Sequence, residues 1–173
     1  MSAVNQTEFR QAMAHLPAGV NIVTTQGPAG RCGITASAVC SVTDAPPTIL
    51  VCVNRGSVSH ATFQRNGRLC VNVLNSEQEE LARHFAGMTQ MPMEVRFAWD
   101  IWEPDGTQGE GGQPALRDAI ARLQGSISDC KEVGSHSVIF VTLDRVTVRS
   151  EGGSLVYFNR GFHRVQRELA TAS

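Results

Sequence analysis

The stretch from Cys32 to Ser57 constrains the fold most. Two strand-like segments, Cys32-Gly33-Ile34-Thr35-Ala36-Ser37-Ala38-Val39-Cys40-Ser41-Val42-Thr43 and Thr48-Ile49-Leu50-Val51-Cys52-Val53-Asn54, meet at a corner made by Pro46-Pro47. Parallel strands need a crossover of a dozen or more residues, so a corner this tight fits antiparallel strands only. The same economy recurs at Gly27-Pro28-Ala29-Gly30, Gly134-Ser135-His136 and Gly152-Gly153, each lying between apolar-alternating segments. Roughly six or seven strands and two or three helices follow from this pattern. Their short connections predict a mainly β protein, a largely antiparallel β-barrel with attached helices, rather than a doubly wound fold.

The other elements follow from local chemistry. Asn5 and Glu8 offer a capping pattern for a first helix, whose Phe9, Met13 and Leu16 share one apolar face before Pro17 and Gly19 stop it. Val20 to Thr25 and Leu69 to Leu74 read as strands, and Ser57 to Arg65 as a short helix closed by Asn66-Gly67. Ser76-x-x-Glu79 has the form of a capping box, with Leu81 and Phe85 on one face of the following helix and Gly87 as its C′ residue. Glu103 to Gln113 reads as an exposed loop. Two long strands are expected over about Ala119 to Val133 and Ser137 to Ser150, a short one over Leu155 to Phe158, and a terminal helix over Arg164 to Ala172. A length of 173 residues predicts one domain over 1–173, with a core over about 9–165.

Composition removes several function classes. The net charge is −1 with no basic run, so nucleic acid has no electrostatic footprint to follow. No apolar run approaches the ~20 residues that span a bilayer. The first residues lack the basic and apolar regions of a signal peptide, and a cytoplasmic location without a membrane partner is expected. The cysteines Cys32, Cys40, Cys52, Cys70 and Cys130 are odd in number and form no C-x-x-C pair, which argues for reduced structural thiols. No histidine spacing suits a metal, no serine sits in G-x-S-x-G, and Gly109-Glu110-Gly111-Gly112 is not a dinucleotide fingerprint.

What remains is a row of small, hydrogen-bonding residues, Thr35, Ala36, Ser37, Ala38 and Ser41, beside a strongly apolar strand. Two readings fit: an ordinary strand pair with a Ser/Thr-rich outer face, or a surface for a flat ligand with a polar tail. His136 in its glycine-bracketed turn is either a solvated turn residue or a side chain over a pocket. Arg160 and His163 are either a surface strand edge or a polar fringe on Tyr157-Phe158.

Several longer segments carry more. Phe9-Arg10-x-Ala12-Met13, Val20-Asn21-Ile22-Val23-Thr24-Thr25, Cys32 through Asn54, Leu69-Cys70-Val71-Asn72-Val73-Leu74-Asn75, Arg83-His84-Phe85-Ala86-Gly87-Met88-Thr89 and Tyr157-Phe158-x-Arg160-x-Phe162-His163 together resemble the short-chain flavin reductase family. The resemblance implies an FMN-binding split barrel, usually a homodimer with its sites near the subunit interface. It implies NADH-dependent (NADPH possible) reduction of exchangeable FMN or FAD, which then serves a separate reduced-flavin-dependent oxygenase of aromatic catabolism. The alternatives are the oxygenase of the pyrimidine ring or a non-catalytic FMN-binding protein. By position, Thr35, Ala36, Ser37 and Ser41 would line the flavin, and Cys52, Val53 and Asn54 would follow it on the next strand. Ser57 and Ser59 would sit near its phosphate at a helix start, and Phe85 and Ala86 near the ring. Arg160 and His163 would add cofactor contacts. His136, the catalytic candidate, matches a family Gly-Asp-His motif near the nicotinamide; here Ser135 replaces the acid, so no carboxylate stands beside it. No metal is implied.

Overall fold

The computed structural model describes residues 3–104 and 111–167. Helix α1 (Gln6–Ala14) leads into β1 (Ala18–Gly19), β2 (Asn21–Gly27), β3 (Gly30–Ala36), β4 (Val39–Asp44) and β5 (Pro47–Asn54). Then come α2 (His60–Asn66), β6 (Arg68–Val73), α3 (Glu79–Phe85), α4 (Met93–Ala98), the long pair β7 (Ala121–Val133) and β8 (His136–Val148), and β9 (Ser154–Phe158) with β10 (Gly161–Val165). Every pairing is antiparallel, as the short turns require.

Strand order explains the barrel. Seven strands run in the order β3-β2-β6-β7-β8-β5-β4, so consecutive strands β3 and β4 are the two edges of one sheet. Laid flat, those edges would lie about 29 Å apart at ~4.8 Å per strand. Yet only Ser37 and Ala38 separate Ala36 from Val39, a reach of about 11 Å at most. The sheet therefore has to roll until its edges approach; Cys52 N–H donates to Ala38 O (3.0 Å), extending the β4–β5 ladder up to the seam. The expected strand from Cys32 to Thr43 is thus two strands, broken at the seam.

Inside the roll, Val23, Val51, Val53, Phe63, Leu69, Val71, Ile139 and Val141 form one apolar cluster. A second cluster, with Val20, Ile22, Leu74, Phe85, Trp102, Leu116 and Leu155, lies beneath the small sheet β1-β9-β10. Asn72 pins the second region to β6: its Nδ2 donates to Ile22 O (3.0 Å), and its Oδ1 accepts from Leu116 N–H (2.8 Å). Strands β7 and β8 change register between Gln124 and Gly125, which leaves Asp144 out of step and paired to Arg68 (2.8 Å).

Several expectations are corrected. The Asn5/Glu8 capping box forms, but the Ser76–Glu79 one does not: Gln78 caps α3 without a side-chain bond, and its Oε1 instead accepts from Asn75 N–H (2.9 Å). Gly87 does close α3, at φ +74, with Gly87 N–H and Met88 N–H reaching back to His84 O and Arg83 O. Arg164 and Val165 belong to β10 rather than to a terminal helix; residues 168–172 lie outside those described. Gln113, expected in an exposed loop, is buried between Gln124 Oε1 and Gln26 N–H. The described parts of the chain also hold α4 and β1, which are too short to show a period in sequence.

All five cysteines are free, and burial sets their reactivity. Cys70 is fully enclosed, and its thiol is pushed up from 9.0 to about 12; burial also raises Cys32. In the native protein at pH 8, a thiol reagent followed by peptide mass mapping should leave Cys70 and Cys32 unlabelled until denaturant is added; native labelling of Cys70 would contradict its burial. The neutral thiol is favoured in the fold, so this contribution to stability is present below pH 9 and lost as pH rises towards 12.

Candidate active site

The seam between β3 and β4 opens into a cleft of about 530 Å3. Thr35, Ala36, Ser37, Cys52, Asn54, Ser57, Ser59, Phe85, Ala86 and His136, ten of the residues singled out in sequence, line it together. Small side chains at Ala36, Ser37 and Ala38 make the floor. Its volume lies in the range of small-molecule sites, roughly 300–1,000 Å3.

Local bonding shows what each residue has left to give. Thr35 Oγ1 donates to Ala82 O (2.7 Å), so this hydroxyl docks α3 rather than pointing at a ligand. Gly33 serves the same docking: a Cβ there would stand 2.9 Å from Phe85 Cε1. Strand β3 thereby brings Phe85 and Ala86 to the cleft. Asn54 Oδ1 accepts from Gly56 N–H (2.8 Å) and Ser57 Oγ from Ser59 N–H (3.3 Å), so the Asn54–Ser59 loop is held by its own bonds. His136 starts β8 opposite Asn54, and its Nδ1 lies 2.9 Å from Ser135 Oγ, a neutral partner where an acid would be charged. Behind the loop, buried His60 Nε2 meets Ser137 Oγ (2.8 Å), joining α2 to the strand that carries His136. Burial raises the Cys52 thiol, which keeps it neutral.

Four expected residues lie elsewhere. Val53 faces the apolar core, because Cys52 and Asn54 take the other face of β5. Ser41 is exposed on β4 and does not line the cleft. Arg160 lines a second cleft of about 700 Å3 with Phe9, Met13, Leu50 and Tyr157, which joins the first at Ser37 and Ala38. Asn159 and Arg160 both have positive φ (48 and 61), a costly geometry for arginine, in the tight β9–β10 turn. His163 is exposed, with Nε2 against Phe158 O (3.1 Å). Sequence reasoning missed Arg96, which lines the cleft. In sequence it faces Asp100 four residues on, but α4 ends at Ala98 and Asp100 pairs with Arg117.

The cleft holds no nucleophile with a base, and no group of metal-binding side chains occurs among the described residues. It is lined by the small residues Ala36, Ser37 and Ala38 and by Ser57 and Ser59. Residues 13–166 fit the flavin reductase like domain. The chain belongs to the flavin reductase family. This flavin reductase is 56% identical to the 4-hydroxyphenylacetate 3-monooxygenase reductase component of Pseudomonas aeruginosa, over 93% of this chain and 92% of that one. It is 48% identical to the FMN reductase (NADH) RutF of Enterobacter sp., over 96% and 98% of the two chains. A solved putative flavin reductase from Haemophilus somnus superposes with TM-score 0.85 at 39% identity, covering 94% of this chain and all of that one. No described helix of this reductase is long and apolar enough to cross a membrane.

Proposed function

We propose that this flavin reductase transfers hydride from NADH to FMN or FAD held exchangeably in the Thr35–Ser59 cleft, and that the reduced flavin leaves for a separate oxygenase. The observation that carries the reading is the cleft itself: a small-residue floor, His136 at its rim and no nucleophile–base pair. Bound flavin supplies the hydride acceptor, so the protein has to bind and orient rather than attack. Ala36, Ser37 and Ala38 leave room for two flat rings at about 3–3.5 Å. Ser57 and Ser59 offer hydroxyls to a phosphate, and His136 stands where it can orient the nicotinamide. A flavin that leaves as product should bind at micromolar strength, about −8 kcal/mol.

The oxygenase is proposed to be that of a 4-hydroxyphenylacetate 3-monooxygenase system in the cytoplasm, supported by the 56% identical relative; the 48% identity to the RutF reductase makes the pyrimidine system the weaker alternative. A homodimer is proposed from the second cleft. α1 buries none of its residues, and Phe9, Met13 and Leu16 are exposed around that cleft, an apolar face that a second copy would cover. Arg160 would then lie beside the flavin site at Ser37–Ala38.

Steady-state oxidation of NADH and NADPH with FMN, FAD and riboflavin in turn, with sedimentation on the same sample, tests these points. NADH turnover that depends on added flavin, in a particle of two chains, is expected. A protein that keeps its flavin and does not oxidise NADH with excess FMN or FAD would instead be the non-catalytic binding protein.

A further inference from the structure

The hairpin that carries His136 is supported unevenly. Its turn, Gly134-Ser135, joins β7 and β8, which pair with each other up to Val133 and His136. On the β8 side, β5 accompanies the hairpin as far as Asn54, opposite His136. On the β7 side, β6 stops at Ser126, so among the described residues 127–133 have no strand beyond them. Val133 is 63% exposed at the tip. A strand end with one neighbour opens at little cost, yet His136 lines the cleft from this tip.

Arg55 braces that tip. Its N–H donates to Ser135 O (2.9 Å), which carries the β5–β8 contact into the turn. Its Nη1 donates to Gly134 O (3.2 Å), and its Nη2 pairs with Glu132 (2.8 Å). The guanidinium therefore bridges the turn and the β7 side of the tip, two directions that a planar fork serves and a point charge does not. Behind it, buried His60 Nε2 meets Ser137 Oγ (2.8 Å). Both ties start in residues 54–60, which also supply Asn54, Ser57 and Ser59 to the cleft. That stretch and the His136 turn are thereby one unit. Arg55 itself does not line the cleft, and the Arg55 and Glu132 side chains are 43% and 58% exposed, so their pair adds little to overall stability. Its effect is local.

We infer that Arg55 is a positioning residue for hydride transfer: it fixes the turn that carries His136 to the loop beside the flavin. This rests on the cleft being the flavin site and on His136 orienting the nicotinamide. Arg55 acts through His136 and touches neither ring, so its loss should cost less than the loss of His136 itself.

Stopped-flow flavin reduction at saturating NADH reads the positioning, and hydrogen exchange followed by mass spectrometry, which needs no turnover, reads the brace. Arg55→Met keeps the stem without the fork. It should slow hydride transfer about fivefold and speed amide exchange in a peptide covering residues 132–137. Affinities for FMN and riboflavin should both stay within about twofold, because Arg55 lies outside the cleft lining. Arg55→Lys should lose about twofold in hydride transfer, as a point charge in place of the fork. Arg55→Met/Glu132→Gln should be no slower than Arg55→Met alone, since both changes break one tie. Unchanged exchange over 132–137 would overturn the inference. So would a weakened FMN affinity with riboflavin unaffected, which would make Arg55 a phosphate ligand. Wild-type hydride transfer in Arg55→Met beside a slow His136→Ala would also overturn it. If both variants transfer hydride at the wild-type rate, the reading of His136 has failed, and the positioning role falls with it. If Arg55→Met does not fold, Glu132→Gln decides on the same two readouts.

Discussion

Replacing Gly125 by alanine should cost about 3 kcal/mol and lower the melting temperature by about 6–12 °C. A Cβ on Gly125 would sit 2.1 Å from Thr142 O and 2.8 Å from Leu143 Cα. Both are backbone atoms of β8, so no side-chain rotation relieves the clash. The only escape is to part β7 from β8 where their register shifts, and that shift places Asp144 against Arg68. These are the two longest strands, in the middle of the rolled sheet, so the disturbance falls on the centre of the barrel wall. A scanning-calorimetry melt within about 2 °C of wild type would show that the bulge has no such constraint.

Replacing His136 by alanine should slow NADH-driven flavin reduction about 10- to 100-fold, the scale on which small misplacements of reacting rings act. Its side chain is exposed and bonded only to Ser135 Oγ, so the fold does not depend on it. Flavin affinity should stay within about threefold and the melting temperature within about 1 °C. Stopped-flow traces separate the outcomes: the hydride-transfer phase should fall while flavin binding does not. Unchanged NADH kinetics would remove His136 from the nicotinamide side of the cleft. Ser135→Ala should give a smaller loss, about threefold, because it frees the ring without removing it.

Much of the barrel was legible in the residues. Turns such as Gly27-Pro28-Ala29-Gly30 and Gly134-Ser135-His136 are too short for crossovers, so antiparallel pairing followed from covalent reach. The small-residue row at Thr35 to Ala38 and the want of a nucleophile pointed to a binding cleft, and the family likeness implied a flavin as the ligand to propose for it. Ser76-x-x-Glu79 misled because a capping box is a local match that competing partners can defeat; Ser76 N–H donates to Gly153 O and Ser76 Oγ to Glu77 Oε1 instead.

What the sequence by itself determined is therefore the antiparallel sheet and the row of small residues on it, with a flavin implied by family likeness. Only the tertiary structure decided how these are used. It set β3 and β4 on opposite edges of one sheet, so that the seam at Ser37–Ala38 became the cleft. It spent the Thr35 hydroxyl on Ala82, turned Val53 to the core and left Arg96 without an acid. The reason is range. Period-two alternation says which side chains share a face, but which partner meets a hydroxyl or a charge is settled by residues many positions away in the chain.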